Sequence, residues 1–227
     1  MKILLVNPNT SKETTDRMVE IARRAAGTRA EIKGLTVSSG ADLITDEAAL
    51  ATAGEAVAAM ICKLKGEEPD GVLISAFGDP GLEAVRSACS CLVVGIAEAS
   101  MIEASQGGRR FAVATTTPDL VNSIHNRAEA YGFAKQFTSV RTTPGNPTAL
   151  MSRADDLVSA LAQAVREAVE LDGAEAVIIG GGPLGGAACD LSRLLDVPVI
   201  EPIPAGIRVL LARHYTGDAA VAIGGRG

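Results

Sequence analysis

Four turns hold the residues of this sequence that could bind or transform a small molecule. Asn7-Pro8-Asn9-Thr10 and Thr115-Thr116-Thr117-Pro118 each end an apolar run with amide or hydroxyl side chains and a proline. Ser75-Ala76-Phe77-Gly78-Asp79-Pro80-Gly81 and Gly180-Gly181-Gly182-Pro183 each end another apolar run with glycine and proline. Turns of this kind present backbone N–H groups at helix starts, where an anion, a carboxylate or an imide oxygen is readily held. Asn9, Thr10, Ser75, Phe77, Gly78, Thr116, Thr117, Gly182 and Pro183 are therefore the expected substrate-binding positions. Ser, Thr, Asn and Gly are also ordinary cap and turn residues. The correspondence between the turns, more than any one of them, points to a site.

Groups able to move protons are scarce near these turns. Glu98 follows the short strand pattern over 92–96, in the phrase Ile96-Ala97-Glu98-Ala99, and is the candidate acid or base, expected to point into the cleft. Asp79 reads as a helix cap. Glu201 follows the last strand. His125 and His214 fall inside helical patterns, and Arg109-Arg110 flanks a strand. Cys62, Cys89, Cys91 and Cys189 have no zinc-ligand spacing and read as reduced thiols, so no metal site is expected. Gly180, Gly182 and Gly185 match a dinucleotide-binding spacing. Pro183 interrupts that turn, however, and only Glu201 stands about 20 residues further on, so no nucleotide is expected.

Strands and helices alternate along the chain and would position these turns. Apolar strand patterns cover residues 2–6, 30–37, 71–76, 92–96, 110–115, 136–142, 176–179 and 197–200. Helical patterns cover 10–26, 46–65, 98–106, 119–131, 152–171 and 204–215. A further helix opens at Pro80 behind Asp79. Continuous apolar strands separated by helices predict an α/β fold with parallel sheets. The turns rhyme between the two halves, so the chain is expected to form two pseudo-symmetric Rossmann-like lobes with the active-site cleft between them. Residues 1–97 with 203–227 would form the first lobe and 98–202 the second. Ligands in open α/β sheets sit beyond the carboxyl ends of the strands, where all four turns lie.

Composition narrows the function further. The 227 residues are 47% hydrophobic but only 3% aromatic, so the core must be aliphatic. A net charge of −6 disfavours binding to phosphate backbones or anionic lipid, and the few aromatics disfavour base stacking. No apolar run reaches the roughly 18 residues of a membrane helix, and no signal peptide is legible. The expectation is a cytoplasmic protein with a small-molecule substrate and no nucleic-acid or membrane partner.

Several segments, taken together, resemble one family. They are ILLVNPNTS, SAFGDPGLEAVR, VVGIAEAS, GRRFAVATTTP and AVIIGGGPLGG before VPVIEPI, in that order. The chain is similar over nearly its whole length to the hydantoin and allantoin racemase branch of the aspartate/glutamate racemase superfamily. The resemblance implies two Rossmann-like halves, assembly into a homo-oligomer, and chemistry without a metal or organic cofactor. That chemistry is α-proton abstraction next to a carbonyl and return of the proton to the opposite face. In the family two cysteines, one per half, supply the base and the acid.

Both cysteines are replaced here. The resemblance places them at Ala76 and Gly181, and neither residue can carry a proton. A thiol suits the role because its pKa near 8.5 can be lowered at a helix start. Each lost acid or base removes a factor of about 10²–10⁴ in rate. The leading expectation is a racemase-like isomerase on a small cyclic ureide or carboxylate, altered at these positions. A cofactor-free lyase or decarboxylase on the same scaffold, a non-catalytic binder, and a deliberate change at one or both positions remain as alternatives.

Overall fold

The computed structural model describes residues 1–62 and 68–217. The last residues of the helix expected over 46–65, and the Gly-rich end of the chain, lie outside the described residues.

The first half opens with β1 (Lys2–Asn7), buried after its first residue, and α1 (Lys12–Ala26). Ser11 caps α1 by accepting from the Thr14 N–H at 3.2 Å. β2 (Glu31–Thr36) is an edge strand, followed by α2 (Glu47–Ile61), which Asp46 caps by accepting from the Ala49 N–H at 2.8 Å. β3 (Gly71–Ile74) is wholly buried and ends earlier than its apolar run suggests, which leaves Ser75 and Ala76 to the turn. α3 (Leu82–Ala88), β4 (Leu92–Gly95) and α4 (Ile96–Ala104) complete the half.

The second half repeats the order. β5 (Phe111–Thr115) is fully buried, and a 3-10 turn over Pro118–Leu120 leads into α5 (Val121–Ala130). β6 (Phe137–Thr142) is again an edge strand. A short helix that the sequence pattern does not announce, α6 (Pro147–Met151), precedes α7 (Ala154–Glu170). β7 (Ala176–Ile179), a 3-10 turn over Gly182–Leu184, α8 (Gly185–Leu194), β8 (Val199–Ile200) and α9 (Pro202–Thr216) follow.

The strands form two four-stranded parallel sheets, ordered β2-β1-β3-β4 and β6-β5-β7-β8. The second order is the first with each strand advanced by one half, which is the expected pseudo-symmetry. The central strands are buried on both faces, as parallel strands under helices must be. α1 and α9 pack together, and α9 also lies against α4 and the first sheet. One apolar core runs from the first sheet through Ile96 and Met101 to Phe111, Val113 and Ile178 of the second. A separate core lies beneath α7 and α8 on the other face of the second sheet. The halves therefore share a core behind the cleft.

α4 starts two residues earlier than its pattern suggests, at Ile96, because its cap comes from elsewhere in the chain. Asp79 accepts from the Ala97 and Glu98 N–H groups at 2.9 and 2.8 Å. Its place before Pro80 predicts that Asp79 caps its own helix. α3 instead begins at Leu82 behind Gly81, and the Asp79 carboxylate turns to the N-terminus of α4. Gly95 makes room for it, since a Cβ there would stand 2.1 Å from Asp79 Cγ.

Candidate functional site

The site is built from the four turns, each fixed by its own hydrogen bonds. After β1, Asn7 Nδ2 donates to Asn9 Oδ1 at 2.7 Å, and the Ser11 N–H donates to the same oxygen at 3.0 Å. The Asn9 carbonyl oxygen is thus committed to the turn, and its Nδ2 is the end left for a ligand. After β3, the Ser75 N–H donates to Val6 O at 2.9 Å, and the Ser75 hydroxyl donates to Leu73 O at 3.2 Å. Its remaining valence is that of an acceptor.

After β5, the Thr115 hydroxyl donates to Gly180 O at 2.9 Å. With that proton spent, the Thr117 hydroxyl must be the donor of its 3.0 Å contact with Thr115, so Thr117 too is left with acceptor capacity only. After β7, the Gly180 N–H pairs with Ala114 O and the Leu184 N–H with Gly181 O. Thr115 itself lies behind the site, tying the third turn to the fourth.

These turns enclose a narrow cavity of about 50 Å³. Asn9, Ser75, Ala76 and Phe77 line it from the first half. Thr116, Thr117, Gly181, Gly182 and Pro183 line it from the second. Gly180, Leu43, Ile44, Leu120, Met151 and Leu184 complete the wall. Leu43, Ile44, Leu120, Met151 and Leu184 are not legible as site residues in the sequence: they are apolar residues in a loop, in 3-10 turns or at the end of the short α6, and nothing in their spacing marks them.

Three expected site residues do not line the cavity. Thr10 N–H donates to Ala41 O, which holds the loop after β2. Gly78 has φ 110° and packs against Leu50. Glu98, expected to point into the cleft, is instead 3% exposed and bound by Arg86 Nη2 at 2.5 Å and Arg213 Nη2 at 3.4 Å. Its position in the first turn of α4 suggested an acid facing the ligand. The two arginines turn it toward α3 and α9, so its charge balances theirs.

The other titratable candidates are likewise occupied elsewhere. Arg109 caps the carbonyls of Glu103 and Ala104 at the end of α4, at 2.8 and 3.0 Å. Arg110 pairs loosely with Glu175 at 3.9 Å. His125 packs edge-on against Phe137 at 4.9 Å, and His214 against Tyr215 at 5.2 Å. Partial burial raises Glu201 above its ordinary carboxylate value, with Arg208 and Arg24 opposing, and it does not line the cavity. Asp79 is fully buried behind the second turn. Burial pushes its carboxyl up to about 6, against the pull of the Ala97 and Glu98 N–H groups and the Tyr131 hydroxyl. Among the described residues no group of three His, Cys, Asp or Glu side chains could hold a metal ion.

The resulting architecture is that of a two-lobed α/β protein with a cavity between corresponding strand ends. The sequence profile of the Asp/Glu/Hydantoin racemase family matches residues 3–210, and the chain belongs to that family. It is 31% identical over 224 residues to a hydantoin racemase from Paenarthrobacter aurescens, covering 97% of this chain and 95% of the relative. Its structure superposes on an allantoin racemase from Pseudomonas fluorescens with a TM-score of 0.91 and 25% identity, covering 100% and 99% of the two chains. An arylmalonate decarboxylase superposes with a TM-score of 0.64 at 18% identity, over 98% and 95% of the chains, and shares the fold. Among the described residues no helix is long and apolar enough to cross a membrane.

Proposed function

We propose that this chain uses the racemase cleft to bind a small uncharged cyclic ureide, of the hydantoin or allantoin type, without two-thiol racemisation. One observation carries the reading: the described side chains that line the cavity are amide, hydroxyl or apolar, and none ionises. A ureide ring presents alternating N–H donors and C=O acceptors. Asn9 Nδ2 offers donors, while Ser75 and Thr117, their hydroxyl protons spent within the turns, offer acceptors. A carboxylate ligand would find no cation among these residues, which favours the ureide over the carboxylate.

Racemisation by two bases needs an acid or base on each face of the carbon. Ala76 and Gly181 stand where the resemblance puts the two thiols, and Glu98 is held by Arg86 and Arg213. A decarboxylase would also have to deliver a proton to carbon and meets the same shortage. The reading is tested by calorimetric titration with hydantoin, with 5-substituted hydantoins and with a small carboxylate of similar size. Saturable binding of the ureides, with weaker binding of the carboxylate, is expected. Preference for the carboxylate, or no ureide binding, would overturn it.

A further inference from the structure

We propose that Cys89 and Cys91 form a dithiol site that a peroxide oxidises to a disulfide within the chain. Three of the four cysteines, Cys62, Cys89 and Cys91, line one groove together with His214. This groove opens at the amino ends of the first sheet, where Leu92 pairs with Gly71, away from the turns that hold the cavity. α3 stops at Ala88, and Cys89 leaves it in extended conformation with φ −112° and ψ 142°. The chain bends at Ser90 and Cys91 before β4 begins. Cys89 and Cys91 both line this groove, so the bend brings two thiols to one space. Both cysteines are half-buried and Cys62 is exposed.

The two thiols also sense each other. Burial first, and then the Cys89 thiol beside it, push the Cys91 thiol up to about 11. Cys91 thus keeps its proton until the second step. Cys89 sulfur attacks the peroxide O–O bond, taking one oxygen as a sulfenic acid and releasing the other fragment as water or an alcohol. Cys91 sulfur then attacks the Cys89 sulfur. The S–O bond breaks, the hydroxyl leaves with the Cys91 proton as water, and the S–S bond forms. Two thiols are oxidised and one peroxide is reduced. Cys–Ser–Cys closes a small ring without moving the sheet, since both residues lie in the connection between α3 and β4.

The experiment uses the full chain carrying Cys62→Ser and Cys189→Ser, treated with hydrogen peroxide, denatured, and labelled with a maleimide. The expected product is a monomer lighter by two thiol hydrogens that takes up no maleimide, with both labels restored by dithiothreitol. Addition of oxygen to one cysteine with the other still labelled would overturn the proposal, as would a disulfide between chains. A second measurement needs no oxidation: phenylarsine oxide, which bridges neighbouring thiols, should bind once per chain. Cys89→Ser should abolish that binding, and equal binding by the variant would contradict a paired site. Neither readout depends on what the cleft binds.

Discussion

Gly182 approaches Ser75 so closely that a Cβ on the glycine would stand 2.7 Å from the Ser75 carbonyl oxygen. The fourth turn thus rests directly on the second, and Met18 Sδ would lie 2.8 Å from the same Cβ. Both residues line the cavity, so this close approach of the two backbones joins its two sides. Gly182→Ala would force the turns apart, and overpacking of this kind costs about 1–3 kcal/mol. Urea denaturation should show that loss, and calorimetry should show weaker ureide binding in the fraction that remains folded. Unchanged stability would mean that the halves do not meet as described.

Gly181 behaves differently, although it is the neighbouring residue. Its φ of 172° is extended backbone open to any residue, and the atoms nearest an added Cβ belong to the flexible Leu184 side chain, at 3.0 Å. Ala76 already carries a Cβ beside the cavity. The double variant Ala76→Cys with Gly181→Cys should therefore fold and gain exchange of the ligand α-proton. Each restored acid or base is worth about 10²–10⁴ in rate. Polarimetry on an enantiopure 5-substituted hydantoin checks this. A folded double variant with no gain would show that the cleft has lost the racemase geometry.

Asp79 and Tyr131 join the second turn to the end of α5, with the Tyr131 hydroxyl donating to Asp79 Oδ2 at 2.8 Å. Burial raises the folded carboxyl from 3.8 to about 6, so the native state holds the Asp79 proton more tightly than the unfolded chain. Stability from this group is complete below the unfolded value and is lost as pH rises through the folded one, by about 3 kcal/mol for a shift of this size. Asp79→Asn removes that dependence. The stability difference between wild type and variant, by urea denaturation, should move against the wild type as pH rises from about 4 to about 7. A difference that stays flat would contradict the raised carboxyl. Tyr131→Phe should cost roughly 1 kcal/mol at neutral pH through the lost hydrogen bond.

Glu98 links α4 to Arg86 and Arg213 in a nearly closed ion-pair cluster, in which the Glu98 and Arg213 side chains are 4% and 9% exposed. Removing one partner of a buried pair costs about 3–5 kcal/mol, because the other charge is left uncompensated. Glu98→Ala should lose stability of that order while the folded protein binds the ureide as wild type does. If it binds far more weakly with stability unchanged, Glu98 belongs to the site after all.

Periodicity and punctuation make most of this fold legible. The apolar runs ending at Asn7, Ser75, Thr115 and Gly180 mark buried parallel strands, and their matching turns reveal the duplication, which the two sheets repeat strand for strand. Nine of the expected positions meet at one cavity for the same reason: a turn after a central strand has nowhere else to go. Contacts between distant residues are not written in local pattern. Asp79 looks like a cap for the helix that follows it, yet it caps α4 across the fold. Glu98 looks like a first-turn acid facing the ligand, and only the packing of α3 and α9 reveals its arginines. α6 escapes notice because five residues are too few to show a helical period.

The central claim is that the cleft holds its ligand without an acid–base pair. Incubation of the wild-type chain with an enantiopure 5-substituted hydantoin in deuterated water, followed by proton NMR, tests it most directly. The account predicts binding seen as line broadening, with α-proton loss and optical rotation no faster than in the same solution without protein. Deuterium entering the α-position faster than that background, alone or with loss of optical rotation, would contradict it.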